Sequence, residues 1–213
     1  MKSMLEWKLI EGLTPYKTAL DLMEQRVFSL QVGTDSEVIM LVEHEDVYTA
    51  GTSYKAEELL NPSGIDVYYT GRGGKFTYHG PGQRVIYPIL NLSSSHRTQD
   101  IRQYVQNLEE WMVLVLNYFN IDAFITKDRV GIWVASNGIE KKIGAIGVRI
   151  KKWVTYHGIA MNINTELSKF CNIIPCGLRE YEVTSMKELG VNIDLSEFDI
   201  VLKDSFYQIF GKV

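Results

Sequence analysis

Residues Gly131 to Asn164 restrict the fold more than any other part of the chain. Three apolar segments, GIWVAS, IEKKIGAIGVRI and WVTYHGIAMNIN, follow one another with almost nothing between them. Asn137-Gly138 supplies the positive φ angles of a two-residue hairpin turn. Lys151-Lys152 marks the next reversal. Strands this close in sequence pair antiparallel, because parallel neighbours need a crossover of a dozen residues or more. The chain must therefore contain an antiparallel meander.

The remaining pattern puts further strands and helices around it. Thr14-Pro15 reads as a helix start, with Thr14 as N-cap and Pro15 in the first turn. Tyr16, Ala19, Leu20, Met23, Val27 and Leu30 then recur at helical spacing, and Gly33 ends the run. Asp100 to Phe119 is the clearest helix, carrying an apolar stripe through Tyr104, Leu108, Met112 and Val115. Strands are expected at EVIMLVEH (37–44), IDVYYT (65–70) and RVIYPILNL (84–92), with EDVYTAG (45–51) a strand or loop and Asn61-Pro62-Ser63-Gly64 a turn. Short helices are expected at 166–170 and 185–189, the second closed by Gly190. A last helix should start on a Ser196–Asp199 capping box. No repeat, low-complexity tract or linker interrupts the pattern. The expectation is a single α/β (α+β) domain spanning 1–213, with a mixed, largely antiparallel sheet and packed helices.

Composition narrows the function classes. The chain has 213 residues, 46% hydrophobic and 23% charged, which is ordinary globular usage. A net charge of -4 does not favour general nucleic-acid binding. MKSMLEWKLI is broken by Glu6 and Lys8 and forms no signal-peptide core. The longest apolar runs are too short to span a bilayer, so neither nucleic acid nor membrane is an expected partner. Cys171 and Cys176 are too few for a disulfide framework or a structural zinc site, and a cytoplasmic, reduced protein is expected. Neither a metal nor a cofactor is expected, because no His/Cys/carboxylate cluster has ligand spacing.

GRGGKFTYHGPGQ, residues 71–83, holds five glycines in its first twelve positions. It is not a phosphate loop, since no register gives Gly-x4-Gly-Lys-Ser/Thr. Nor is it a dinucleotide fingerprint, because Phe76 stands where the third glycine belongs. Read blandly, it is two tight turns flanking a short strand. Cys176, in IIPCGL, sits between Pro175 and Gly177 in a constrained loop that would suit a nucleophile. Cys171 reads as buried. A nucleophilic thiolate needs a nearby cation, imidazole or helix N-terminus. His44, His79, His96, His157 and Lys142 are the side chains available for this. The tetrapeptide TYHG occurs twice, ending at Gly80 and Gly158, as it would if two strands met at one cleft. KKIGAIGVRIKK packs five basic residues into twelve, either a solvated hairpin or a dock for an acidic partner.

RGGKFTYHGPGQ followed by YPILNL, KKIGAIGVRI, TYHGIAMNIN and IIPCGL, in that order, resembles the octanoyltransferases that begin lipoate assembly, the lipoate–protein ligase B family. VEHEDVYTAG resembles the same family's first strand–loop element. The likeness covers about Leu41 to Leu178. It implies the fold of the biotin protein ligase and lipoate ligase catalytic domains. It implies transfer of an octanoyl group from octanoyl-acyl carrier protein to a lysine on the lipoyl domains of 2-oxoacid dehydrogenases and the glycine cleavage H protein, through a Cys176 acyl-thioester. By motif match Cys176 is the nucleophile and Lys142 its proton-handling partner. The same match places Arg72, Gly73, Gly74, Lys75, Phe76, Thr77, Tyr78, His79, Ala145, Ile146, Gly147, His157, Gly158, Ile159 and Ala160 along the acyl site. The glycines of 71–83 then make sense as walls that approach an acyl chain without Cβ atoms. Rival readings are an ATP-dependent lipoate ligase, which would need no cysteine, a non-catalytic acyl or carrier binder, and a cysteine hydrolase pairing Cys176 with His157.

Overall fold

The computed structural model describes residues 5–62, 64–174 and 181–211. The elements run β1 (Glu6–Thr14), α1 (Tyr16–Gln31), β2 (Val38–His44), β3 (Val47–Ala50), β4 (Asp66–Tyr69), β5 (Phe76–His79), β6 (Gln83–Ile89), α2 (Ile101–Tyr118), β7 (Ala123–Phe124), β8 (Ile132–Ser136), β9 (Ile139–Lys151), β10 (Val154–Asn162), β11 (Glu182–Val183) and α3 (Leu195–Phe210). The large sheet has the order β1-β2-β6-β10-β9-β8-β7, with β11 added against β9. A second sheet has the order β4-β3-β5. The large sheet is antiparallel except for β1 with β2 and β11 with β9. The class is therefore the expected mixed, largely antiparallel α+β.

Helices cover both faces of the large sheet. In β2, Val38, Met40 and Val42 pack with Ala19, Met23 and Val27 of α1. Ile39 and Leu41 point the other way, into a core built with Leu108, Trp111, Met112 and Val115 of α2 and Leu202 and Phe206 of α3. A strand covered on both sides is apolar at every position, which is why EVIMLVEH shows no alternation. Trp111 ties α2 to α3 by donating from its indole nitrogen to the Leu202 carbonyl and to Ser205 Oγ, both at 3.1 Å. Among the described residues no helix is long and apolar enough to cross a membrane.

Several local expectations change. Residues 6–14 form β1, a sheet-edge strand whose burial pattern does not alternate and so leaves no period to read. Thr14 does not cap α1. It ends β1, its hydroxyl reaches back towards the Gly12 carbonyl, and Pro15 occupies the N-cap. The capping box of α3 is formed by Asp194 and Glu197, which accept from each other's backbone N–H at 2.9 Å, so the box begins two residues before Ser196. Residues 185–189 form a turn instead of a helix, closed by Gly190 at φ +87. Ser185 to Leu189 is only five residues, too few to repay helix nucleation. Cys171 is exposed, because Phe170 takes the inward position of the 3₁₀ turn Leu167–Asn172.

Candidate active site

A narrow cavity of about 40 Å3 lies where the glycine-rich loop and β5 meet β9 and β10. Strand alternation decides what faces it. Thr77 and His79 of β5 point in. Tyr78 turns away, packing on Tyr48 and Phe170 and donating its hydroxyl to Asp46 at 2.6 Å. Ile146 and Ile159 pack with the α2/α3 core and also border the cavity. Gly73 does not line it, although Gly74 and Lys75 do.

Arg72 holds the glycine loop. Its guanidinium donates to the Thr49 carbonyl at 2.7 Å, Thr49 Oγ1 at 2.8 Å, the Lys75 carbonyl at 2.9 Å and the Gly73 carbonyl at 2.9 Å. The loop is also laced to β9, with Gly73 N–H donating to the Val148 carbonyl at 2.9 Å. This approach needs Gly147 in β9. A Cβ there would stand 2.9 Å from the Gly73 carbonyl oxygen and 3.2 Å from Arg72 Cδ.

Lys142 reaches the same face through a bulge. Simple alternation from Ala145 and Gly147 would place residue 142 on the opposite side. But Ile132 pairs with Gly144 and Trp133 with Lys142, so Ile143 is an extra residue in β9. Ile143 drops into the α2/α3 core. Lys142 comes out beside a second, smaller pocket that shares Thr77, Ala145 and Ala160 with the cavity. It is 7% exposed, donates from Nζ to the Val130 carbonyl at 3.0 Å and lies 5.3 Å from the Trp133 ring centroid. β10 pairs with β9 only as far as Gly144, and β11 takes over beside Lys141 and Lys142.

The two TYHG tetrapeptides do bring His79 and His157 to one cavity. Together with Tyr16, His44 and Tyr87 they form a buried box of rings. Tyr16 stacks on His79 with centroids 6.2 Å apart, and its hydroxyl lies 3.5 Å from His157 Nδ1. His44 lies 2.8 Å from the Thr14 carbonyl through Nδ1 and 2.7 Å from the Tyr87 hydroxyl through Nε2. A carbonyl only accepts, so Nδ1 carries the proton and Nε2 accepts from Tyr87. Gln83 donates its amide to the Tyr78 carbonyl and to Asn162 Oδ1. Its oxygen therefore accepts from His79 Nδ1 at 2.7 Å.

Burial pushes His44 down to about 4. Burial, with the charges of Arg72 and Arg149, pushes His157 down to about 3. Burial, then repulsion from His44, lowers His79 well below the usual imidazole range. Burial also raises Tyr16 to about 12. At neutral pH the box is uncharged beside the fixed cation of Arg72. His157 has φ +56 and a buried Nε2 without a partner among the described residues. Its strand is freed from β6 by Pro88, which has no N–H. Thr155 bridges the gap, its hydroxyl donating to the Pro88 carbonyl and accepting from Leu90 N–H. The resulting space is small and lined with fixed dipoles. It suits an unbranched apolar chain with one polar end.

Of the residues expected at the site, Cys176 lies outside the described residues, as do Pro175 and Gly177. Reading the sequence alone missed Tyr16, Val85 and Tyr87, which also line the cavity. Tyr16 hid in a helical apolar stripe, and Tyr87 in a strand apolar at every position. The basic run is split by the fold. Lys142 turns inward, and Lys141 pairs with Glu182 at 2.8 Å and Glu188 at 3.7 Å. Arg149, Lys151 and Lys152 stay exposed.

The architecture is that of the lipoate and biotin ligases. Over 96% of this chain it matches the bipartite lipoate protein ligase of Thermoplasma acidophilum, with TM-score 0.71, 20% identity and 84% of that chain covered. Over 100% it matches the biotin protein ligase of Aquifex aeolicus, with TM-score 0.57, 15% identity and 72% covered. Sequence relationships are closer. The model of the lipoyl protein ligase A/B catalytic domain matches residues 15–207. The octanoyltransferases of Rickettsia canadensis and Rickettsia felis are each 56% identical over 208 residues, covering 97% of this chain and 100% of theirs. The chain belongs to the lipoyl protein ligase A/B catalytic-domain family, and it is an acyltransferase within it.

Proposed function

We propose that this enzyme transfers an octanoyl group from octanoyl-acyl carrier protein to the ε-amine of a lysine on lipoyl domains, in the cytoplasm. The Cys176 thiolate attacks the donor thioester carbonyl, the carrier thiol leaves with a proton given up by the Lys142 ammonium, and an acyl-cysteine remains beside the neutral Lys142 amine. The neutral amine of the acceptor lysine then attacks that thioester. Its surplus proton passes to Lys142, the amide forms and the cysteine is released. Exchange of one thioester for another is nearly balanced, and amide formation is downhill, so splitting the reaction needs a nucleophile and positioning more than driving force. Acceptors of this reading are the lipoyl domains of 2-oxoacid dehydrogenases and the glycine cleavage H protein.

The observation that carries the reading is the placement of Lys142. A buried lysine opens onto the same face as a small cavity bordered by Gly74, Gly147 and Gly158, where backbone rather than side chain forms the wall. The identity of more than half with full-length octanoyltransferases supports the choice of acyl group. Arg149, Lys151 and Lys152 offer the exposed positive surface for an acidic carrier.

The test is to mix the protein with octanoyl-acyl carrier protein, without ATP, and record its intact mass. One added octanoyl group, released by hydroxylamine and absent in Cys176→Ala, is the expected result. No adduct, with acylation appearing only when octanoate and ATP are supplied, would replace the transferase with a ligase.

A further inference from the structure

Lys142 is held by a support that lies outside the cavity. Glu109 of α2 is 7% exposed, and its Oε1 accepts a hydrogen bond from Gly131 N–H at 2.8 Å. The peptide joining Val130 to Gly131 thus has its N–H fixed to α2, while the Val130 carbonyl one atom earlier in that peptide accepts from Lys142 Nζ at 3.0 Å. Gly131 itself has φ +132, and a Cβ there would collide with Lys142 Cε and stand 2.8 Å from Nζ. Burial raises the Glu109 carboxyl, with the Gly131 N–H and the charge of Lys142 opposing that rise. A carboxylate placed at this depth on a helix otherwise packed through Leu108, Trp111 and Met112 carries a desolvation cost that packing does not explain.

We propose that Glu109 is a positioning residue for Lys142: by pinning the Val130–Gly131 peptide through its hydrogen bond, it aims the Val130 carbonyl at Nζ and fixes the ammonium beside Thr77, Ala145 and Ala160. Gly131 completes the device by leaving the volume that the lysine stem fills. The kinetic consequence rests on the proposed role of Lys142 in acyl transfer; the structural consequence does not. Because the hydrogen bond carries the effect, glutamine, which keeps the acceptor oxygen, should replace Glu109, and alanine should not.

The experiment uses full-length protein labelled with 13C at lysine Cε. The Lys142 resonance, assigned by its loss in Lys142→Arg, should be displaced from those of exposed lysines by the Trp133 ring, whose centroid lies 5.3 Å from Nζ. In Glu109→Ala it should move towards the exposed lysines, with kcat for octanoyl transfer down about ten- to a hundredfold and KM for the donor within about twofold, as for a reacting group misplaced by about an ångström. Glu109→Gln should keep the resonance and about a third or more of kcat. Gly131→Ala should displace the resonance with Glu109 intact, and it carries the test if Glu109→Ala does not fold. An unmoved resonance in Glu109→Ala, or Glu109→Gln as impaired as Glu109→Ala in both readouts, overturns the proposal. Full activity in Lys142→Arg would instead remove the chemistry assigned to Lys142, and the resonances alone would then decide the positioning.

Discussion

Replacing His44 by glutamine should flatten the dependence of stability on pH. His44 is fully buried and is neutral in the fold, pushed from 6.5 to about 4 by burial. In the unfolded chain it titrates near 6.5. Between these values the unfolded state binds the extra proton, so stability rises with pH there. The contribution is fully present above pH 6.5 and is lost progressively as pH falls towards 4. At about 1.4 kcal/mol per pKa unit, His44 alone removes about 2 kcal/mol between pH 7.5 and pH 5. The assay is urea unfolding followed by tryptophan fluorescence at several pH values from 7.5 to 5. His44→Gln will be less stable at every pH, because Thr14 and Tyr87 lose their partner at roughly 1–3 kcal/mol for a buried group left unpaired. The quantity of interest is the difference of differences. The free energy lost on going from pH 7.5 to pH 5 should be about 2 kcal/mol smaller in the variant than in the parent. Asp199, which burial raises to about 6, titrates in both proteins and cancels. Equal losses in the two proteins would mean that His44 binds its proton as readily folded as unfolded, and the uncharged ring box would be refuted.

Arg72→Lys should cut octanoyl transfer at least about tenfold and cost roughly 1–3 kcal/mol in urea unfolding, because an ammonium cannot serve Thr49, Gly73 and Lys75 from one plane. Wild-type turnover would show that the loop holds its shape without the guanidinium fork. Reversing the charges at Lys151 and Lys152 should raise the KM for acyl carrier protein at low salt and leave kcat near its starting value. A KM that does not respond would move the carrier dock away from this hairpin.

The sequence determined the parts whose signal is local. Asn137-Gly138 set the β8–β9 hairpin, Asp100 capped α2 with its carboxylate accepting from Arg102 and Gln103 N–H, and the apolar stripes gave the buried faces of α1 and α2. The order of the motifs from Arg72 to Cys176 marked the family. The tertiary structure decided what depends on register and on distant partners. β1 became visible only once β2 lay beside it, since half-exposed edge residues carry no clear period. The side on which Lys142 points was set by one extra residue, Ile143, and a one-residue shift reverses every side chain beyond it. Tyr16 and Tyr87 entered the site, and Tyr78 left it, for the same reason: an apolar residue in sequence does not state which neighbour it meets. Glu109 offered no signal at all among the polar positions of α2. Its meaning came from the loop that α2 touches, where a helix carboxylate, a glycine N–H and a strand lysine converge from residues far apart in the chain.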